Sequence, residues 1–578
     1  MKSKDWLLLL LFIIFVYFQV LLSLRMPEYM SEITKILQSD GMKMSQFTFP
    51  GTMMLVCSLG SLICAAVAGA CLSRVSATII MRMREAAFDK IISFSLAEMS
   101  AFSSSSLITR CTNDIMQLQS FSTIGLQILV QGPITAAFAI VKMGSNMTWL
   151  GASLSMVVVI IIVHIIVIAI VMKKSQILQL LVDNVNRVTK EHLSGLRVVH
   201  AYNGYDFQNK QFRDVNDELT NTSLFVNRAT GVLSPFLSLV INGLSLIIYI
   251  LGAMMIHGAS TGDEKLELFS QMIVFSSYAL QAMAAFVMML LAVIMLPRVL
   301  VSIRRVNEIL DTEMQITDGR HESGANGKIG SIEFRNVSFA YPGAYGNALS
   351  DISFTVEQGE TMAIIGSTGS GKTTLLNLIL RLYDTTQGDV IVDGRNVRDY
   401  QVWALREKMG YIPQKSFLFA GTIASNIDYG NKSGFQAAVT DIKRAAEVGQ
   451  SSEFIEHKEG GYQASVQEGG SNFSGGQKQR LTISRAICRD PEFYLFDDSF
   501  SALDFKTDSV LRRKLREYAR NSTQIIVGQR VGSIKHADKI LVLDHGHLVG
   551  QGTHEELMKT CKVYQEIVLS QMSSEEAV

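Results

Sequence analysis

The sequence predicts two fold classes in one chain: an α-helical membrane domain of six transmembrane helices, then an α/β domain built around a phosphate-binding loop. Three observations carry that expectation. Residues 1–300 hold 38 of the 104 Asp, Glu, Lys and Arg side chains of the 578-residue chain, and residues 301–578 hold the other 66, a density near that of ordinary soluble domains. The first half contains six runs of 19 or more residues without one of these charges. The second half contains an apolar strand that runs into a glycine-rich loop and on into a helix. The balance of 52 basic against 52 acidic residues excludes a protein that holds nucleic acid mainly by electrostatics, and six cysteines exclude a disulfide-stapled scaffold.

The six runs are Trp6–Leu24, Thr52–Ser73, Ile115–Val141, Met147–Met172, Ala229–Gly262 and Leu268–Pro297. Each is long enough to cross the hydrocarbon core of a bilayer as a helix. With the N-terminus inside, the inner flanks hold 18 Lys and Arg and the outer flanks hold five (Arg25, Lys35, Lys43, Lys142 and Lys265). This bias places both termini and everything after the sixth span in the cytoplasm. The inner connections, Arg82–Met99 and Lys173–Asn227, mix apolar and charged residues at helical spacing, so spans two to five are expected to continue as helices beyond the bilayer. Cys57, Cys64 and Cys71 recur every seven residues in span two and read as small packing residues rather than a metal stripe. His164 reads as packing or lipid-facing. Span six mixes Gln271, Ser276, Ser277, Tyr278 and Gln281 with several methionines, a surface that could accept many apolar shapes; Gln271, Tyr278, Gln281 and Met289 are expected to touch cargo.

Residues 1–311 therefore form the membrane domain, 312–330 a polar linker with Gly319, Gly324 and Gly327, and 331–578 the α/β domain. Strand Thr361–Ile365 leads into Gly366-Ser367-Thr368-Gly369-Ser370-Gly371-Lys372-Thr373, with helical Thr374–Leu382 behind it. Glycines let backbone N–H groups close around phosphates, and the helix N-terminus adds positive potential. Lys372 reaches the β and γ phosphates, Thr373 takes a magnesium position, and Thr374 completes the binding set. The cofactors expected are ATP and Mg2+. A second apolar strand, Phe493–Phe496, ends in Asp497, placed to hold magnesium, and Asp498, placed to orient an attacking water.

About twenty residues before that pair stands Ser474-Gly475-Gly476-Gln477, followed by Lys478-Gln479-Arg480. It resembles the signature of ATP-binding cassette (ABC) proteins, and six spans ahead of one cassette resemble a half-transporter of the exporter class. The resemblance implies that Ser474, Gly475, Gly476 and Gln477 grip ATP held by a second cassette. It also implies that Tyr341 stacks on adenine, that Gln414 meets the magnesium and couples to the membrane helices, and that Ser501-Ala502-Leu503-Asp504 communicates between cassettes. Leu96-Ala97-Glu98 and Tyr202–Asp206 are similar to coupling segments. The first span begins almost at once, which leaves little or no helix ahead of it and no room for an N-terminal peptidase.

Two positions depart from the family pattern: Asp498 stands where a glutamate is usual, and Gln529 where a histidine is usual. Small positional errors are costly in phosphoryl transfer, so the chain is expected to bind ATP and hydrolyse it poorly. This resembles the degenerate-site subunit of heterodimeric multidrug-type exporters, partnered by a second half-transporter in a bacterial plasma membrane. Because no charge-free run offers a counter-charge, the cargo is expected to be an apolar or amphipathic small molecule or lipid-like compound. A lipid or lipopeptide flippase is the alternative, and an ATP-responsive regulatory membrane subunit a third.

Overall fold

A computed structural model of the chain describes residues 3–37, 44–144, 147–325, 328–430, 437–501 and 503–571. They form two compact units, Met1–Asp89 with Leu107–Asp311 and Lys90–Ser106 with Thr312–Val578.

The first unit contains six helical segments long and apolar enough to cross a membrane. They begin with α1 (Ser3–Leu37) and α2 (Ser45–Ser93), which is followed in the chain by the short α3 (Leu96–Ala101) of the other unit. The third segment is α4 (Ser104–Thr109), α5 (Ile115–Ser120) and α6 (Leu126–Met143), joined by π-helical turns at Arg110–Asp114 and Phe121–Gly125. Then come α7 (Met147–Ser194), α8 (Leu196–Ala201), α9 (Tyr205–Gly231), α10 (Leu233–Gly258) and α11 (Gly262–Leu310). At 1.5 Å per residue the 49-residue α2 and α11 run for roughly 70 Å, more than twice the hydrocarbon thickness, so the helices continue beyond the bilayer as their charge pattern requires. Phe12, Val16, Val20 and Leu24 repeat every four residues on one face of α1 and pack in one core with Phe275, Ala279, Ala282 and Met283 of α11.

In the second unit an antiparallel sheet of order β2-β1-β4-β5 is made by β1 (Ile332–Phe339), β2 (Leu349–Val356), β4 (Gln387–Val392) and β5 (Arg395–Asn396). A six-stranded sheet of order β12-β11-β3-β10-β9-β6 holds β3 (Thr361–Gly366), β6 (Met409–Ile412), β9 (Phe493–Asp497), β10 (Thr523–Val527), β11 (Lys539–Asp544) and β12 (His547–Gly552). β7 (Gly421–Thr422) and β8 (Ser465–Val466) form a small separate pair. The helices are α12 (Lys372–Ile379), α13 (Val402–Glu407), α14 (Ile423–Ile427), α15 (Val439–Val448), α16 (Ser452–Glu456), α17 (Gly475–Cys488), α18 (Phe505–Tyr518), α19 (Val531–Ile534), α20 (His554–Thr560) and α21 (Lys562–Gln571).

The inner strands β3, β9, β10 and β11 are buried on both faces, which explains their continuous apolar runs, whereas the edge strand β12 is not. Phe493, Leu495, Ile525 and Val527 point into one core, while Tyr494, Phe496 and Ile526 point into the other. β3, β10, β9 and β6 are parallel, with Val527 opposite both Ile364 and Asp497. Their carboxyl ends therefore share one edge, and loops leaving that edge carry the chemistry.

Candidate nucleotide site

The loop after β3 takes its shape from its glycines. Gly369 (φ +83°) and Gly371 (φ +100°) hold left-handed backbone, and Gly371 caps the start of α12. A Cβ on Gly371 would stand 2.5 Å from Leu349 Cδ2 and 2.9 Å from the Ala348 carbonyl, so only glycine fits. Lys372 is buried, and its Nζ donates to the carbonyls of Gly366 (2.9 Å) and Ser367 (2.6 Å). Burial depresses its pKa, while the charges of Asp498 and Asp497 work against that shift. An ammonium held by weak neutral acceptors of its own loop can exchange them for phosphate oxygens.

Thr373 Oγ1 donates to Asp497 Oδ1 at 2.9 Å. Burial raises the pKa of Asp497, although hydrogen bonds from Thr373 and Tyr411 oppose the shift. A cation beside this carboxylate would remove the penalty. Among the described residues no group of three or more His, Cys, Asp or Glu side chains could hold a metal. Magnesium bound with phosphates needs only one or two protein oxygens, which Thr373 and Asp497 supply, so the residues fit the ion.

Asp498 occupies left-handed backbone (φ +46°), and its Oδ2 accepts from Gln529 Nε2 at 2.8 Å and from Gln414 Nε2 at 3.3 Å. Burial raises its pKa; the Gln414 hydrogen bond and the charges of Lys372 and Arg530 oppose this. The structure thus brings Asp498, Gln529 and Gln414 together. It adds Gln571, at the end of α21, whose Nε2 donates to the Gln529 carbonyl (2.7 Å) and whose Oε1 accepts from the Val531 N–H (2.9 Å). No local pattern marks Gln571, which lies 42 residues from Gln529.

Tyr341 stands beside the loop helix, its hydroxyl 2.9 Å from Thr374 Oγ1 and its ring edge-on to Phe339 and Tyr383. Ser474 is the exposed N-cap of α17: its Oγ accepts from the Gln477 N–H, and Gln477 Oε1 accepts from the Ser474 N–H. This capping box fixes Gly475 and Gly476 in the first helical turn, where N–H groups and helix dipole favour an anion. Among the described residues no hydrogen bond joins Ser474–Gln477 to Gly366–Thr373 of the same chain. Asp504 caps α18 through the Thr507 N–H (3.0 Å), while Ala502 lies outside the described residues, as do Gly327, Lys2 and Lys43.

Of the two segments expected to couple, α3 falls in the same unit as the α/β fold. Glu98 accepts from the Ser95 N–H (2.6 Å) and the Gln315 N–H (2.8 Å), tying α3 to the segment after α11. The Ser95-x-x-Glu98 pattern was a sequence signal for this cap. Tyr202 and Phe207, near the α8–α9 turn, are strongly exposed.

The residues expected to touch cargo divide. Gln281 lines a cavity in the membrane unit, together with Met288. Tyr278 does not: it is buried, and its hydroxyl lies 3.1 Å from the Leu24 carbonyl and 3.2 Å from Glu28 Oε1, which makes it an anchor between α11 and α1. Met289 packs against Gly132, and Gln271 bonds to Glu267. Spacing along one helix did not reveal that α1 supplies partners for Tyr278. His164 is buried and bonds the Ile160 carbonyl of its own helix, and Cys57 is buried.

Comparison with known proteins places these features in a family context. Residues 349–501 match the family described as ABC transporter, and residues 9–286 match the ABC transporter transmembrane region. An uncharacterised ABC transporter ATP-binding protein of Mycobacterium tuberculosis is 36% identical, covering 87% of this chain and 85% of its own. An ATP-dependent lipid A-core flippase of Pseudomonas aeruginosa is 30% identical over 84% of this chain and 79% of its own. The solved structure of a bacterial Atm1-family ABC exporter with ATP bound shares the fold, with a TM-score of 0.82 at 22% identity over 98% of this chain and 99% of the other.

Proposed function

The chain belongs to the ABC transporter family, as a half-transporter in which a transmembrane region of exporter fold precedes one ATPase domain, and on that premise we propose that it is one subunit of a heterodimeric, ATP-driven exporter of apolar or amphipathic compounds. One arrangement carries the reading: a complete phosphate loop beside an acid position where Asp498 is held by Gln529 and Gln414.

Gly366–Thr374 binds the phosphates of ATP, with Lys372 released from the Gly366 and Ser367 carbonyls to the β and γ phosphates, while Tyr341 stacks on the adenine. Thr373 and Asp497 would hold Mg2+, which would supply charge neutralisation for phosphoryl transfer. Asp498 must orient water and take its proton. Its carboxylate is one methylene shorter than glutamate, and one oxygen already accepts two amide N–H groups. Gln529 brings neither the charge nor the titration of an imidazole. Nucleotide binding is therefore strong at this site and chemistry slow.

Ser474–Gln477 serves the ATP held by the partner half-transporter, whose site does the rapid hydrolysis. Closure of the two cassettes on ATP is a population shift that opens the membrane cavity outward. The excess of inner Lys and Arg supports cytoplasmic termini, and the bacterial relatives support a bacterial plasma membrane. Export of multidrug type is the first reading. A lipid or lipopeptide flippase is the second, and the flippases among its relatives favour it.

The test is nucleotide binding and phosphate release measured in parallel on the purified chain. Binding of a fluorescent ATP analogue with little release is expected, and in the assembled heterodimer Asp498→Glu combined with Gln529→His should raise release by adding a second working site, since misplacement of about 1 Å costs on the order of a hundredfold. Brisk, cooperative hydrolysis by the unaltered chain would overturn the degenerate-site reading.

A further inference from the structure

Four glutamines from three membrane helices meet at one cavity. Gln19 of α1, Gln127 and Gln131 of α6 and Gln281 of α11 line a space of about 500 Å³, with Ser23 and Thr135 beside them and no charged side chain. The spacing makes this a designed face: Gln19 and Ser23 are four residues apart, as are Gln127, Gln131 and Thr135, so each set stacks on one side of its helix. All lie within charge-free runs of the sequence long enough to cross a bilayer.

Elsewhere in this bundle polar groups pair across helices, as Ser31 does with Ser270 and Tyr278 with Leu24. The four amides make no such bonds among the described residues, and Gln19 Oε1 is fully buried without a partner. A buried amide oxygen without a partner is costly unless something enters to satisfy it, and the half-exposed Gln127, Gln131 and Gln281 leave their amides free to bond whatever enters.

We propose that this cavity binds the uncharged, hydrogen-bonding headgroup of an amphipathic solute, one rich in secondary amides or sugar hydroxyls; the proposal rests on the export reading and narrows its cargo. Each glutamine offers two donors and a carbonyl acceptor, so the complement is a group that both donates and accepts. A cation or anion would lose its hydration without meeting a counter-charge. A pure hydrocarbon would leave all four amides unpaired, and sites built to hydrogen-bond reject analogues that lack the group.

The experiment uses four probes with the same pyrene-labelled acyl tail, differing only at the head: trialanine amide, galactoside, no polar head, and trimethylammonium. Binding to the full chain in phosphatidylcholine nanodiscs is read against empty discs. The amide or galactoside probe should bind at least tenfold more tightly than the headless and cationic ones, and the better of the two identifies the headgroup. Gln131→Leu and Gln281→Leu should each weaken it about three- to tenfold, the loss expected for one hydrogen bond. Gln281→Glu should instead gain affinity for the trimethylammonium probe, which damaged packing would not produce. Equal binding of the headless or cationic probe, or a ranking unmoved by the glutamine variants, overturns the proposal. ATP-driven uptake of the same probes into inverted vesicles judges export separately. With the partner half-transporter co-expressed in those vesicles, uptake whose headgroup ranking ignores these glutamines sinks the cavity inference alone, and selective binding without uptake sinks export alone.

Discussion

Gln571 shows what one side chain can add to a site assembled from distant loops. Its amide grips both ends of the turn that follows β10, accepting from the Val531 N–H and donating to the Gln529 carbonyl. The Gln529 side chain in turn holds Asp498. Gln571 is thus a positioning residue, acting on Asp498 through Gln529. Gln571→Ala removes two hydrogen bonds worth about 1 kcal/mol each, so the Val531 amide should exchange with solvent about tenfold faster or more, with the melting temperature little changed. Gln571→Glu keeps the acceptor and loses the donor, and its exchange should fall between the two. Unchanged exchange in both variants would show that packing of α21, not this amide, holds the turn. Asp498 and Gln529 stand out in the sequence because the strand-end pattern marks their positions, whereas Gln571 has no such pattern.

At the scale of elements, α3 depends on one carboxylate. Glu98 closes the capping box with Ser95 and also receives the Gln315 N–H from the segment that follows α11. Burial acts to raise its pKa, but the hydrogen bonds from Ser95 and Gln315 outweigh it and hold the group below its ordinary value of about 4.5. A lowered folded-state pKa means the stabilisation is fully present above the ordinary value and is lost as pH falls through the lowered one. Amide exchange at Gln315 and residues 95–101, expressed as a ratio to Glu98→Gln, should show protection that is constant from pH 7 to about 5 and disappears in more acid solution. Glu98→Ala should cost about 1–2 kcal/mol of local stability at neutral pH, the usual loss for a helix cap. A ratio of one at neutral pH would show that the contact contributes nothing.

For the whole molecule, the division of labour between two cassettes predicts asymmetric variants. On the proposed heterodimer reading, Ser474→Ala should nearly abolish steady-state hydrolysis, because this chain's signature would complete the partner's site. Its loss of the α17 cap costs about 1 kcal/mol, which a melting curve registers separately. Lys372→Ala should weaken ATP at this chain's own loop while chemistry at the other site continues in part. The deciding measurement is ATPase activity at saturating ATP. If Lys372→Ala is as inactive as Ser474→Ala, the two sites are equivalent or strictly alternating.

The expected roles of Asp498 and Gln529 came from the family resemblance, while legible in the sequence alone were the six spans and the α/β domain with its phosphate loop. Each of those is written locally: charge-free runs of the right length, a strand-loop-helix with glycine where the backbone turns left-handed, and strand ends with their flanking acids. Which side chains meet across distant segments emerges from the packing. It placed Tyr278 against Leu24 and Glu28, joined Glu98 to Gln315 and Gln571 to Gln529, and turned four glutamines toward one cavity. The physical reason is that helix periodicity fixes which residues share a face, while what that face meets depends on the packing of helices hundreds of residues apart.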